Sequence, residues 1–329
     1  MKRVIPLWIK CPAAVALNQF GRLPLNIVFS NIRWSFTQNR NCSTDVKNRV
    51  YHKTQRTLCR YLSRKYGSLI DEICSDGFQG TYVENAPIWV FWWQGLENAP
   101  EIIKICIANL QKNAGSHPVH VVDSQNYQEY IQVPDHIAQR LQQKKISITH
   151  FSDYVRMKLL AEHGGMWSDA TIFAKTPIKE EIFHSPIWTV RNPGLDPVNI
   201  SGWEWAINFL GGWKGNVLFR SLAEVLERYW LDHSMVADYF LTDCLVRVIY
   251  DRCDAVKDFI NEVKPSNAAF NYYQKRFHEP LDEQSYELEK ISENWLYKVS
   301  WKNEYKEQAA DGRDTFYGRW KKDFGADSR

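Results

Sequence analysis

The sequence lacks any hydrophobic run long enough to cross a membrane. None of its apolar segments approaches the roughly 20 residues that a membrane-spanning helix needs. Near the N-terminus, Pro6 and Lys10 interrupt the apolar stretch 4–9, and what remains is too short for a secretory signal. We therefore expect a cytoplasmic protein, with at most a peripheral contact to the inner face of the cell membrane.

The sequence also lacks CxxC motifs, and neither basic nor acidic residues are in strong excess. The seven cysteines are odd in number and scattered, and they form no CxxC pair, which argues against a disulfide framework and a zinc knuckle. The formal net charge is +3, from 41 basic and 38 acidic residues that are interspersed. Such a balance gives no reason to expect a nucleic-acid partner.

Aromatic and helical patterns are present in the first 85 residues. Segment 1–40 mixes isolated aromatic residues with sparse basic groups, and segment 45–75 repeats apolar residues at helical spacing. We predict a helical N-terminal segment over residues 1–85. It either covers the main core or rests on a membrane surface, where aromatic and basic side chains suit the headgroup region.

A strand, a helix and a second strand are predicted next. The apolar run 88–93 is typical of a buried parallel strand, Asn98 is a plausible helix N-cap, and segment 118–123 is a short β-branched strand. This βαβ order predicts an α/β domain over residues 86–305 with a mainly parallel sheet, followed by a polar tail over 306–329.

Ligands of such sheets bind at the carboxyl ends of the strands. The residues that end the two predicted strands are therefore expected at the binding edge. They are Trp93, Gln94, Gly95 and Asp123.

Segment 152–171 carries the strongest chemical signal. A helix is predicted from Ser152 to His163; two glycines end it, and a strand over 166–174 follows. Asp153 and Arg156 share one helix face and Asp169 follows in the strand, so these three groups can converge. Carboxylates accept hydrogen bonds from sugar hydroxyls and a cation binds phosphates, which predicts a nucleotide-sugar site.

The same segment, SDYVRMKLLAEHGGMWSDAT, resembles the S-D-x-x-R-x-x-x-L-x-x-x-G-G-x-Y/W-x-D-x-D block of glycosyltransferases with the GT-A fold. It is most similar to bacterial capsular polysaccharide synthesis proteins. The resemblance implies a GT-A-like, Rossmann-like domain that binds a nucleotide sugar. It further implies transfer of a hexose or N-acetylhexosamine, UDP-linked, to a hydroxyl of a surface polysaccharide or lipid-linked glycan, with retention of configuration.

Individual roles follow from this resemblance. Trp93 would stack on the nucleotide base, and Asp169 would be the catalytic carboxylate and the first acid of the DxD pair. The implied donor-binding set is Trp93, Gln94, Gly95, Asp153, Arg156, Gly164 and Gly165.

Thr171 departs from the pattern because it stands where the second acid of DxD is expected. A divalent metal, Mn²⁺ or Mg²⁺, is implied, but a threonine hydroxyl is a poor ligand for it. Either Asp169 binds the metal with a later ligand, or a basic group neutralises the diphosphate. Candidates for that group are Arg191, Lys214 and His278.

Asp238 and Asp243 are candidates for the acceptor side, on a helix predicted over 236–250, although a solvated helix face would explain them equally well. The alternative to an enzyme is a non-catalytic nucleotide-sugar or glycan-binding protein that lost turnover together with the second acid. A dinucleotide-binding enzyme is disfavoured, because no G-x-G-x-x-G follows the strand at 88–93.

Overall fold

Helices and short strands alternate along the chain in this computed structural model, which describes residues 12–77, 79–195 and 198–324. The helices are α1 (Pro12–Gln19), α2 (Leu25–Asn39), α3 (Thr44–Ser75), α4 (Glu101–Asn113), α5 (Tyr127–Tyr130), α6 (Asp135–Gln142), α7 (Ile148–His163), α8 (Val217–Asp232), α9 (Leu241–Arg252), α10 (Asp254–Glu262), α11 (Tyr272–Arg276), α12 (Glu283–Lys290) and α13 (Phe316–Phe324). The strands are β1 (Ile88–Phe91), β2 (Val119–Val122), β3 (Gly165–Asp169), β4 (Ile172–Ala174), β5 (Ile187–Thr189), β6 (Phe209–Gly212) and β7 (Leu296–Lys298).

The main sheet has five strands in the order β2-β1-β3-β6-β5. Strand β1 pairs in parallel with β2 and with β3, whereas β6 pairs antiparallel with both β3 and β5. The sheet is therefore mixed, and the prediction of a mainly parallel sheet is not confirmed: only the β2-β1-β3 part is parallel. A separate two-stranded sheet joins β4 and β7 in antiparallel register. The α/β class is confirmed.

Alternating side chains divide the hydrophobic interior into two layers. Trp89 and Trp167 point to one face of the sheet, into a cluster that includes residues of α3, α7, α8 and α9. Ile88 and Met166 point to the other face, into a cluster with α4 and the C-terminal elements. Because successive strand residues face opposite sides, each strand helps to hold both layers together.

Helix α7 carries two of the candidate site residues and begins earlier than predicted. Ser147, not Ser152, is its N-cap, and the Ser147 hydroxyl accepts a hydrogen bond from the backbone N–H of His150. An N-cap side chain satisfies a backbone donor that the helix itself leaves unpaired. The helix ends at His163, as predicted, and β3 follows from Gly165.

Helices α1, α2 and α3 lie within the first 75 residues, among those that the structure describes. Leu58, Leu62 and Ile70 of α3 are buried in the same cluster as the helices behind the sheet. Arg252 of α9 forms an ion pair with Asp71 of α3. Helix α3 thus covers the core, which is the first of the two readings for this segment.

The last part of the chain also contributes to the core. Phe316 and Trp320 of α13 are fully buried, within the segment that the sequence analysis assigned to a polar tail. Tyr317 lies against Trp320, with ring centroids 6.2 Å apart. The division into domains stays a prediction. Within the described residues, no helix is both long enough and apolar enough to cross a membrane.

Candidate functional site

The carboxyl end of β3 brings the charged residues of segment 152–171 together. Asp169 is the last residue of β3, and its backbone N–H donates to the carbonyl of Asn208 over 2.9 Å. Asp153 and Arg156 lie on the face of α7 that packs beside this strand end, and both are buried. The three residues that the sequence analysis placed in one site are therefore adjacent.

Asp169 is the centre of this group. Its Oδ1 accepts hydrogen bonds from Nη2 of Arg156 at 3.2 Å and from the indole N–H of Trp167 at 2.9 Å. Its Oδ2 accepts from Nζ of Lys298 at 2.8 Å. With 26% of its side chain exposed, Asp169 remains accessible to a ligand from outside.

Two cations keep Asp169 ionised. Burial by itself would raise the pKa of this carboxyl, but the charges of Lys298 and Arg156 and the hydrogen bonds from Lys298 and Trp167 outweigh it, and the pKa is lowered. The guanidinium of Arg156 also lies over the ring of Trp167, 4.7 Å from its centroid. Ring and carboxylates together fix the arginine in one orientation.

Lys298 is the member of the site that the sequence analysis missed. It is the last residue of β7, far along the chain, and its Nζ also donates to the Thr171 hydroxyl at 2.7 Å. The β4–β7 register pairs Lys298 with Ile172, which places the lysine beside the turn after β3. The available signal was a single lysine within the otherwise apolar run 295–299, WLYKV.

Two further carboxylates, Asp153 and Asp243, are buried near Arg156. Asp153 Oδ1 is 3.3 Å from Nη1 of Arg156, and burial raises the pKa of Asp153 to about 6 although Arg156 opposes the shift. Asp243 of α9 accepts a hydrogen bond from the Trp205 indole at 3.0 Å. Burial raises its pKa to about 7, against that hydrogen bond and with a contribution from the charge of Asp153.

The charge of Asp153 contributes to the raised pKa of Asp243, so Asp243, predicted for the acceptor side, is within electrostatic range of the donor-side candidate Asp153. Both side chains are buried. Carboxyl groups with perturbed pKa values are often found at ligand-binding or catalytic sites.

Asp238 does not share this position. It precedes α9, where its Oδ1 accepts from the backbone N–H of Phe240 at 2.8 Å and from the Tyr51 hydroxyl at 3.4 Å. Burial raises its pKa. These contacts give Asp238 a role in holding the loop before α9 against α3.

The residues that follow β1 do lie at the expected edge. Phe91 pairs with Asp169 in the β1–β3 register, so Trp93, Gln94 and Gly95 extend beyond the same end of the sheet. The Trp93 ring is half-buried and packs edge-on against Phe151, with centroids 5.7 Å apart. Gln94 is exposed.

Two other tryptophans stand at this edge. Trp92 and Trp301 meet edge to face, with ring centroids 5.4 Å apart. Trp301 follows Lys298 by three residues and is 45% exposed. The buried indole nitrogen of Trp92 has no hydrogen-bond partner among the described residues. Trp301 therefore presents more ring surface for stacking than Trp93, whose ring packs against Tyr127 and Phe151.

Gly164 and Gly165 lie at the opposite end of β3, away from Asp169. Both have positive φ angles, 71° and 89°. A Cβ on Gly165 would stand 2.1 Å from the carbonyl oxygen of Pro87, and one on Gly164 would stand 2.6 Å from the backbone nitrogen of Lys214. The structure thus gives this glycine pair a packing role between strands and does not bring it to the charged group.

The three basic alternatives to a metal are also elsewhere. Arg191 forms an ion pair with Glu204 at 2.8 Å. Lys214 lies by the glycine end of β3, and the His278 ring packs beside Tyr305, with centroids 4.8 Å apart. None of these three contacts Asp169 and Thr171 in the described structure. The basic residue that contacts both is Lys298.

The oxygen atoms around Asp169 and Thr171 are the ones that a divalent cation would need. Both oxygens of Asp169 and the hydroxyl of Thr171 already accept hydrogen bonds, and Nζ of Lys298 lies between the two side chains. Across the described ranges, no three His, Cys, Asp or Glu side chains are arranged to hold a metal ion. Mg²⁺ is usually bound by one or two carboxylates together with waters and substrate phosphates, so the position of the Lys298 ammonium on Asp169 and Thr171 decides the fit. This arrangement does not fit Mn²⁺ or Mg²⁺ while Lys298 is in place.

Comparisons with known proteins relate this chain to one glycosyltransferase and to one protein family. Over 91 residues, 25% of this chain and 22% of the relative, the sequence is 31% identical to the O-glycosyltransferase PaGT of Phomopsis amygdali. The matched part is thus about a fifth of that relative's length. No solved structure matches the chain. The family model described as capsular polysaccharide synthesis protein matches residues 38–320. The chain therefore belongs to the capsular polysaccharide synthesis protein family.

Proposed function

We propose that this protein is a glycosyltransferase that moves a sugar from a nucleotide diphosphate sugar to a hydroxyl acceptor. The observation that carries the proposal is the convergence of Arg156 and Lys298 on the partly exposed Asp169. Cations held at a protein edge suit the charge of a diphosphate. Family membership and the similarity to an O-glycosyltransferase support glycosyl transfer in general.

The finer assignment rests on the resemblance of residues 152–171 to the GT-A block. We propose a GT-A-like domain, a UDP-linked hexose or N-acetylhexosamine as donor, and a surface polysaccharide or lipid-linked glycan as acceptor. Retention of configuration belongs to the same proposal.

In this proposal the cations bind the diphosphate and the carboxylates bind hydroxyl groups. In a transfer of this kind, negative charge develops on the diphosphate oxygen as its bond to the sugar breaks, so cations in fixed positions lower the barrier. Asp153, Asp169 and Asp243 offer acceptors for hydroxyl groups of the sugar or ribose. Trp301 offers an exposed ring on which a base or sugar can stack. Holding both substrates in the correct geometry supplies the rest of the rate acceleration.

The test is transfer or hydrolysis of nucleotide sugars by the full chain and by Asp169→Ala. We expect a thermal-shift screen to identify a nucleotide sugar that raises the Tm, and we expect Asp169→Ala to lose at least about 100-fold in turnover, since it removes the group that aligns both cations. Asp258→Ala, an exposed acid on α10, is the matched control. Full activity of Asp169→Ala would refute the site assignment.

A second candidate is a non-catalytic nucleotide-sugar or glycan-binding protein. The observation in its favour is Thr171, which stands where a second acid is expected. Donor binding without hydrolysis or transfer to any acceptor would support this candidate over the enzyme.

We also propose that α1 and α2 contact an anionic lipid surface. Five apolar side chains of α1, α2 and the turn between them are exposed, Phe20 and Phe29 are in ring contact, and no acidic residue precedes Asp45 in this sequence. Apolar side chains flanked by basic groups favour binding to anionic headgroups. The five exposed side chains are Leu17, Phe20, Leu25, Phe29 and Phe36.

Sedimentation with vesicles tests this contact. We expect binding to vesicles that contain phosphatidylglycerol and much less to pure phosphatidylcholine, with Phe29→Ser weakening the binding. Leu288→Ser is the control, because Leu288 is 58% exposed on α12, close to the 59% of Phe29. Equal loss in both variants, or no binding at all, would contradict the proposal.

A further inference from the structure

The ammonium group of Lys298 lies between the side chains of residues 169 and 171. Its Nζ donates to Asp169 Oδ2 at 2.8 Å and to Thr171 Oγ1 at 2.7 Å. These are the two positions at which a DxD pair would present its carboxylates to a divalent ion. A cation supplied by the protein therefore occupies the position where an external cation would be needed.

The net charge of the Asp169–Thr171–Lys298 group equals that of two carboxylates with a divalent ion. Two carboxylates neutralise one divalent ion, and one carboxylate with a neutral hydroxyl neutralises one ammonium group. Thr171 in place of an acid removes one negative charge, and Lys298 in place of a divalent ion removes one positive charge. The two differences compensate, so the departure at Thr171 need not reduce the ability of the site to hold an anion.

Lys298 can also reach a ligand. Its ammonium carries three N–H donors, and in the described part of the chain it donates to the two acceptors named above. Its side chain is 21% exposed. One donor is thus left for an incoming oxygen, while Asp169 and Thr171 keep the group from moving away.

We propose that Lys298 is the cation that stabilises the departing nucleoside diphosphate, so that this protein needs no divalent metal. The inference rests on the proposed glycosyl transfer. In that step the bond from the anomeric carbon to the diphosphate oxygen breaks, and its electron pair stays on that oxygen, where Lys298 donates a hydrogen bond. The acceptor hydroxyl oxygen bonds to the anomeric carbon, and its proton passes to the nucleoside diphosphate.

Calorimetry of the full chain with UDP, GDP and dTDP tests the binding part. We expect at least one of them to bind equally well in EDTA and in Mn²⁺. Lys298→Met should weaken that binding about 10- to 100-fold, as expected for the loss of a hydrogen bond to a charged group. Lys257→Met, an exposed lysine on α10, should bind like the wild type.

A metal-dependent version of the site sharpens the test. The double variant Thr171→Asp with Lys298→Ala restores the second acid and vacates the position between the side chains. We expect this variant to bind Mn²⁺ alone, as seen by electron paramagnetic resonance, and to bind the nucleoside diphosphate with Mn²⁺ but not with EDTA. The wild type should bind no Mn²⁺ in the same measurement. Lys298→Met remains informative should the double variant fail to fold.

The possible failures are distinguishable. Wild-type binding that requires Mn²⁺, or a Lys298→Met variant that binds like the wild type, would overturn the role of Lys298 and leave the proposed function standing. Absence of binding to all three nucleoside diphosphates, with and without Mn²⁺, would overturn the proposed function and this inference together.

Discussion

The two ends of β3 lie four residues apart in sequence and are stabilised by different interactions. At the amino end, Gly164 and Gly165 let backbones approach to distances that no side chain would permit. At the carboxyl end, Asp169 is held by two cations and an indole N–H. With a rise of about 3.3 Å per strand residue, the ends are about 13 Å apart.

This comparison separates two kinds of residue within one sequence block. The glycine pair belongs to the same block as Asp153, Arg156 and Asp169, and the block read as a whole suggested a shared role in donor binding. In the structure the glycines determine how closely β3 packs against its neighbours, whereas the charged residues form the site. The stability contributed by close packing does not vary with pH, whereas the contribution of buried ionisable groups does. Variants at the two ends of β3 should therefore differ in the pH dependence of their unfolding free energy.

Replacement of Arg156 by Met should have the largest effect. It leaves Asp153 and Asp169 without their shared partner, and breaking a buried ion pair costs about 3–5 kcal/mol. The free energy of unfolding should fall by this order at pH 8 and by less at pH 5, because protonation of Asp153, whose pKa is about 6, relieves the buried charge. Urea denaturation at both pH values measures it. A loss that does not vary with pH would contradict the electrostatic account.

Gly165→Ala should cost somewhat less and show no pH dependence. The added Cβ would meet the carbonyl oxygen of Pro87 at 2.1 Å, and the φ of 89° is unfavourable for alanine. Strain and overpacking together predict a loss of about 2–4 kcal/mol in the free energy of unfolding. The same urea series measures this loss, with Gly115→Ala as a control: Gly115 also has positive φ but has open space around it. Equal losses at both glycines would show that backbone strain, not crowding, dominates.

Asp243→Asn should have the smallest effect, and it should be stabilising. Because the pKa of Asp243 is raised to about 7, the folded protein holds this proton up to about pH 7, whereas the unfolded chain releases it near the ordinary aspartate pKa of 3.8. The wild type therefore loses stability as the pH rises from about 4 through 7. Asn cannot ionise and can still accept from Trp205. At pH 8 the variant should be more stable than the wild type, with an upper limit of about 4 kcal/mol set by the shift from 3.8 to about 7, and at pH 4 the two should be equal.

Thermal or urea unfolding across pH 4–8 measures the difference. Asp258→Asn, which changes an exposed acid on α10, should run parallel to the wild type. A destabilised Asp243→Asn variant at pH 8 would mean that the folded protein stabilises the ionised form of Asp243, and would contradict a raised pKa for this group.

Much of the site could be predicted from local sequence, because its first members lie close together in the chain. Asp153 and Arg156 share a helix face by spacing alone, and the glycines that end α7 lead directly into β3 and Asp169. Lys298 could not be found in this way, since 129 residues separate it from its acceptor. Trp93 was assigned by its position after a strand, which the structure confirms, but its enclosure by Phe151 and Tyr127 depends on tertiary packing.

The sequence by itself determined the local elements of this protein: the buried strand β1, the helix–glycine–strand order of α7 and β3, and the cluster of charges on them. Period and capping are properties of neighbouring residues, so they can be read along the chain. Only the tertiary structure decided the reversed direction of β6, the separation of the glycines from the site, and the arrival of Lys298 at Asp169. Each of these depends on strand pairing between distant segments, and pairing is selected by the burial of both sheet faces at once.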